Sequence, residues 1–281
     1  MAITSKLLLF RNIETLTQSR NIMFTKTEVT NTYNRLYSDF FKRLDDESER
    51  VCGERYTEVH KWRIIHDILF LPVIYKNYRI LEIGPSITSV ILKQLTGATV
   101  EALCIDTLNR NFLDSFSIPL HVCDISRDTP YLPLESFDII LFCEVLEHFI
   151  IAPDKALKTI LSLLKPGKYI LFSVPNFASI QKRLRLLFGK NPQNLLAYDI
   201  PYYAHLREPV YGEAKQWWEK AGASIVREGF TNYDKSYPEG ILSKLFWTAR
   251  FLKILNLYGL VQIWFPKTRQ YFYFLLTKKI F

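Results

Sequence analysis

The sequence predicts an α/β fold: a doubly wound, mostly parallel sheet with an antiparallel last strand. Three observations predict it. Five short apolar runs (residues 78–83, 99–105, 119–123, 137–143 and 169–174) follow one another with turns or helix-length segments between them. Continuous apolar runs of that length suit strands buried on both faces. An acidic residue marks the end of four consecutive runs: Glu82, Asp106, Asp124 and Glu144. Alternating strand and helix gives a doubly wound sheet, whose ligands bind beyond the carboxyl ends of the strands.

Residues 1–60 are polar and mixed, with helical stretches such as Asn31–Leu44 and no convincing strand. Glu54–Phe70 reads as a helix, with Val59, Trp62, Ile65 and Leu69 at three- and four-residue spacing. His60 and His66 lie on or near it, with surface or packing roles expected. Val90–Leu95 follows the first strand as a helix. Pro153–Leu164 is another, with Ala156, Leu157, Ile160, Leu161 and Leu164 on one face. Pro166–Gly167 makes the turn into the fifth strand. Tyr211–Ala221 is a helix stopped by Gly222, and Ser224–Phe230 and Tyr271–Thr277 are further strand candidates. The expected organisation is an N-terminal helical cap over 1–54 and a main domain over 55–281. Within the domain, 177–210 forms a lid insertion and 231–268 a basic, apolar, helical insertion before the last strand.

The bulk numbers agree with a globular chain. Of 281 residues, 48% are hydrophobic and 23% charged, which excludes disorder as a whole. No stretch reaches the roughly 18 apolar residues of a spanning helix. The apolar run Leu7–Phe10 is too short for a signal-peptide core. Cys52, Cys104, Cys123 and Cys143 form no close pairs of the kind zinc sites use. They read as buried thiols in a reducing cytoplasm. The net charge of +8 is uneven: residues 241–281 carry seven Lys/Arg and no Asp/Glu.

The strand ends point to a nucleoside ligand. After the first strand, Gly84 permits a tight turn and close backbone approach, and residues 85–89 open a helix N-terminus. Asp106 lies close to the spacing at which an acid meets ribose hydroxyls. GxxxxGK[ST] and GxGxxG are both absent, which disfavours a pyrophosphate cofactor. S-adenosylmethionine has a ribose and an adenine but no phosphate, and makes weaker demands on the loop.

RILEIGPSITS resembles the first motif of class I S-adenosylmethionine-dependent methyltransferases, typically E/D-x-G-x-G-x-G. CIDTLNR and HVCDIS resemble the acids of the family's second and third strands. ESFDIILFCEVLEHF resembles the fourth strand and loop of the group that includes ubiquinone-biosynthesis enzymes. LKPGKYILFSVPN and HLREPVYGEAKQWWEKAGASIV resemble the parts that follow. The likeness spans about residues 55–230, in the family's order. It implies S-adenosylmethionine as cofactor. Glu82 and Gly84, with Pro85 and Ser86 of the same loop, would hold the methionine end, and Glu144 would lie near it. Asp106 and the adjoining Thr107 would meet the ribose. Asp124 and the Ile125 backbone would meet the adenine. Ser86 and Thr88 depart from the pattern, standing where glycine is usual.

Methyl transfer to a hydroxyl or amine of a small molecule, such as a sugar or a lipid-linked intermediate, is the reading adopted. His148 is the first choice of general base, because histidine titrates nearest neutrality, and Glu147 is the second. Tyr202, Tyr203, His205 and Arg207 are expected to contact the acceptor. Two alternatives stand beside this reading. If Glu144–His148 is helical, Glu144, Glu147 and His148 share a face. With His205 they resemble the metal site of small-RNA 3′-end methyltransferases, implying a metal-dependent RNA 2′-O-methyltransferase. The other is a catalytically inactive fold that recruits partners. The adopted reading includes no metal. A homodimer, and peripheral membrane contact through 241–268, are further expectations, placed ahead of nucleic acid.

Overall fold

The computed structural model describes residues 24–42, 60–193, 205–232 and 264–279. Helix α1 is Lys26–Lys42, and α2 covers 60–70. The alternating part runs β1 (Arg79–Ile83), α3 (Ile87–Thr96), β2 (Thr99–Cys104), α4 (Arg110–Ser115), β3 (Leu120–Val122) and β4 (Phe137–Cys143). A 3-10 turn at Leu146–His148, α5 (Asp154–Leu163), β5 (Leu164–Pro175) and α6 (Ile180–Leu187) follow. The chain continues through α7 (Tyr211–Ala221), β6 (Ala223–Thr231) and β7 (Tyr271–Lys278).

The seven strands lie in the order β3-β2-β1-β4-β5-β7-β6. β1 to β5 pair in parallel, and β7 runs antiparallel to both β5 and β6. The chain leaves β1 toward one edge and β4 toward the other. A crevice therefore opens between the carboxyl ends of these two central strands, the topological switch point.

Strand periodicity builds two cores. Ile80, Val100, Ile139 and Leu171 face one side, where α1, α2 and α3 contribute Val29, Tyr33, Ile64, Ile68 and Val90. Their chain neighbours Leu81, Ile140 and Phe172 face the other, against Leu157 and Ile160 of α5 and Trp218 of α7. Side chains alternate across a strand, so runs apolar at every position feed both layers. Trp218 packs edge-on against Phe142 and Phe172 at 6.3 and 5.5 Å.

Several local expectations shift. α2 buries Ile64, Ile65 and Ile68, while Trp62 and Leu69 are half-buried, so its inward face is rotated from the apolar spacing. The rotation brings Arg63 and Asp67 inside, where Arg63 Nη1 lies 3.4 Å from Asp67 Oδ2. His60 and His66 are largely buried too, and His66 packs against Phe70 and Tyr273. The turn at Pro166–Gly167 lies inside β5: pairing jumps from Phe137↔Leu164 to Ile139↔Tyr169, with Gly167 at φ 70°. Ser86 caps α3, its side chain accepting from the Thr88 amide, with φ −135°. It takes an extended backbone that any residue adopts, and Thr88 lies in the helix, so neither position demands glycine. Tyr202, Tyr203 and the segment 241–263 lie outside the described residues.

Candidate active site

The β1 edge is set by Gly84. It sits at φ 73°, and a Cβ there would lie 2.5 Å from Val145 Cγ2. The loop after β4 thus closes directly onto the loop after β1. Glu82, just before the turn, is buried and accepts hydrogen bonds from Ser86 Oγ (3.0 Å) and Ser89 Oγ. Burial pushes its carboxyl up to about 7, against the pull of those two hydroxyls. The departures from the glycine pattern are thus built into the site: Ser86 donates to Glu82, and its Oγ lies 2.8 Å from Thr88 Oγ1.

The β2 and β3 ends carry the next two acids. Asp106 is half-buried, its Oδ1 accepting from Leu108 N at 3.1 Å and from the Cys104 thiol. Its Oδ2 takes no donor among the described residues, as a ribose-binding carboxylate requires. Thr107 is exposed beside it, and Asn109 Nδ2 donates to Pro85 O at 3.3 Å, tying this loop to the Gly84 turn. Asp124 Oδ1 accepts from Ser126 N and Oγ at 3.0 and 2.6 Å, and Ile125 is buried next to it.

Beyond β4 the backbone is strained. Glu144 holds φ 56°, a left-handed conformation unusual for a residue with a side chain, and its amide donates to Ser173 O at 2.9 Å. The following 3-10 turn, rather than an α-helix, separates Glu144 from its neighbours. Glu147 and His148 instead converge with His205: one ligand atom from each of the three lies within 4.8 Å of the others. The peptide carbonyl of Glu147 accepts from Leu206 N and Arg207 N at 2.9 and 3.1 Å, which brings the distant segment to the turn. His148 and His205 meet edge to face at 5.1 Å.

The Glu147 carboxyl is fully buried, and neither oxygen has a hydrogen-bond partner among the described residues. His205 Nε2 is 3.9 Å from it. Burial, then the Glu144 charge, hold the Glu147 carboxyl well above the usual range. His205 turns its other nitrogen to Glu208 Oε1 at 2.9 Å, and Glu208 pairs with Lys182 of α6. Burial lowers His205 to about 4 and Lys182 to about 8. A neutral imidazole oriented by a carboxylate, facing a second carboxylate, can move a proton or hold a divalent cation.

Behind these groups stands the Arg63–Asp67 pair of α2. Burial pushes Asp67 up to about 8, with Arg63 opposing and Glu144 and Glu82 reinforcing the shift. Arg63, Asp67, Lys182 and Glu208 escaped the sequence reading. A charged i,i+4 pair inside the apolar helix 60–70 was the available signal for the first two. Nothing local marks Lys182 or Glu208. Of the expected acceptor contacts, His205 joins Glu147 and His148. The Arg207 side chain is exposed, paired with Glu213 and set over Trp217 at 5.4 Å. A recess of about 460 Å³ lined by Lys215, Glu219 and Arg227 lies at the β6 edge, away from the acids.

A sheet of this order, with a glycine turn after β1 and acids at the ends of β1 to β4, defines a class I S-adenosylmethionine-dependent methyltransferase. A family model described as a methyltransferase domain matches residues 33–228. The chain belongs to that family. Among solved structures, it resembles an S-adenosylmethionine-dependent methyltransferase from Archaeoglobus fulgidus (TM-score 0.54, 18% identity, covering 83% of this chain and 100% of that one). Phosphoethanolamine N-methyltransferase 2 of Haemonchus contortus, solved with S-adenosylmethionine, is similar at TM-score 0.52 and 15% identity, covering 87% of this chain and 60% of that one. A methyltransferase of Thermotoga maritima matches at TM-score 0.50 and 16% identity, covering 89% and 100%. No curated protein sequence matches the chain.

Proposed function

We propose that the chain transfers the methyl group of S-adenosylmethionine to a hydroxyl or amine of a small molecule. The observation that carries this reading is Asp106 at the β2 end, one oxygen open, tied through Asn109 to the Gly84 turn. Bound there, the cofactor supplies an activated methyl carbon. The acceptor heteroatom bonds to that carbon as its bond to sulfur breaks, and a proton leaves the acceptor. The chain's task is to align the acceptor and take that proton. His148, half-buried beside His205, is the group assigned to receive it. Asp124 and Ile125 suit the adenine, and Glu82, Pro85, Ser86 and Glu144 border the methionine end. The test is transfer of labelled methyl to a panel of hydroxyl- and amine-bearing acceptors, sugars and lipid-linked compounds included. His148→Gln should lower kcat by about 10²–10⁴-fold while leaving cofactor affinity unchanged. An unaltered kcat would remove His148 from the proton path.

One observation favours a second reading. Glu147, His148 and His205 form the one group among the described residues with ligand atoms close enough for a shared cation. Glu208 behind His205 supplies the outer carboxylate that metal-bound histidines commonly use. A divalent cation there would polarise an acceptor hydroxyl, such as a ribose 2′-hydroxyl. Glu144 stands outside the group, so the geometry offers one carboxylate and two imidazoles. Full activity in the presence of a chelator would exclude this reading; loss with recovery on adding Mg²⁺, Mn²⁺ or Zn²⁺ would establish it.

A further inference from the structure

α6 differs from every other α-helix described. None of its residues is buried. At its end Leu186, Leu187 and Phe188 are 64%, 75% and 57% exposed. Three large apolar residues in succession, at the tip of a surface helix, have no place in a solvated face. Their neighbours are cationic. Arg183 and Arg185 flank them on the helix and Lys190 follows, all three exposed and none with an acidic partner among the described residues. Residues 177–193 contain no acid at all.

We infer that the α6 tip docks the protein on an anionic lipid surface, Leu186, Leu187 and Phe188 entering the headgroup–acyl boundary and Arg183, Arg185 and Lys190 facing the lipid phosphates. The combination selects this occupant. A protein groove would meet the apolar residues but leave three cations uncompensated. Nucleic acid would meet the cations but leave the apolar tip in water. An anionic bilayer satisfies both, and long basic side chains reach its headgroups while their stems lie along apolar surface. No helix among the described residues is long and apolar enough to cross a membrane. Trp264 and Phe265 are likewise exposed, 68% and 62%. Their segment is joined to the base of α6 by buried Asn176, whose side chain donates to Lys267 O and Arg269 O at 2.8 Å.

The docking element is also joined to the site. Lys182, one turn before Leu186, pairs with Glu208, which holds His205. A surface seated on α6 therefore lies over the segment that completes the Glu147–His148–His205 group. The inference concerns membrane attachment and does not depend on the acceptor's identity or on turnover.

The test is flotation of the full chain with vesicles of phosphatidylcholine alone and of phosphatidylcholine with phosphatidylserine, at low and high salt. Wild type should partition onto the anionic vesicles at least tenfold more strongly, with salt weakening it. L186S/L187S/F188S should lose binding even at low salt. R183Q/R185Q/K190Q should weaken it by roughly a hundredfold, at about fivefold per charge. The altered side chains are exposed, so circular dichroism and melting temperature should stay at wild-type values. Absence of wild-type binding overturns the inference. So does wild-type binding that both variants retain, which would place the contact elsewhere. A wild-type dimer returned to monomer by the apolar triple variant, without vesicle binding, would instead make the tip a self-association surface.

Discussion

At the scale of single residues, Gly84 and the buried histidines make the sharpest demands. A side chain at residue 84 meets Val145 Cγ2 at 2.5 Å and must also hold φ 73°. Gly84→Ala should therefore destabilise the fold by about 1–3 kcal/mol and push the two loops apart, weakening cofactor binding. Chemical denaturation and cofactor titration of the same variant check both effects. His66 illustrates a pH effect with a definite sign. Burial lowers its pKa to about 4, so the neutral ring is the folded form. The stability this contributes is present above the unfolded value near 6.5 and is lost as pH falls toward 4. At about 1.36 kcal/mol per pH unit, wild type should lose about 2 kcal/mol relative to His66→Phe between pH 6.5 and pH 5. Taking the difference between the two proteins separates this from Glu82 and Asp67. Their raised values act in the opposite direction, with stability lost as pH rises toward 7 and 8. A pH-independent difference would mean that His66 titrates normally.

At the scale of elements, strands and acids were legible because both leave a periodic mark. The apolar runs fell on β1 to β5, and the acids Glu82, Asp106, Asp124 and Glu144 came to the carboxyl ends of β1 to β4 as read. The helix face of α2 was not legible. Its inward positions include Arg63 and Asp67, and apolar spacing cannot anticipate a polar pair that meets inside the core at 3.4 Å. The form of the turn after β4 was left open by the sequence, which offered a helix over 144–148 only as an alternative. Glu144 takes φ 56°, a left-handed backbone that its own residue type does not announce. α1 shows the reverse case: its weakly patterned sequence gains order from the sheet. Val29, Tyr33 and Leu36 enter the same core as β1 and β4. Tyr33→Ala should therefore cost about 3 kcal/mol in denaturant titration while changing cofactor affinity less than twofold. A loss below about 0.5 kcal/mol would show that α1 docks without supporting the sheet.

At the scale of the whole molecule, the order of the sheet brings together residues far apart in sequence. The reversal between β1 and β4 makes the crevice, and the return of 205–208 to the Glu147 carbonyl furnishes its far wall. Candidate cofactor residues were readable because each sits at a strand end, where position alone predicts direction. His205 was readable as a type and Glu208 was not, because their meeting with Glu147 depends on a long connection whose path leaves no periodic trace. The account stands on one claim, that the crevice holds S-adenosylmethionine with Asp106 on its ribose. Calorimetric titration of wild type and Asp106→Ala with the cofactor tests it most directly. Micromolar binding by wild type, weakened at least a hundredfold in the variant, is the result expected. No binding by wild type at millimolar cofactor, or equal binding by both proteins, would contradict it.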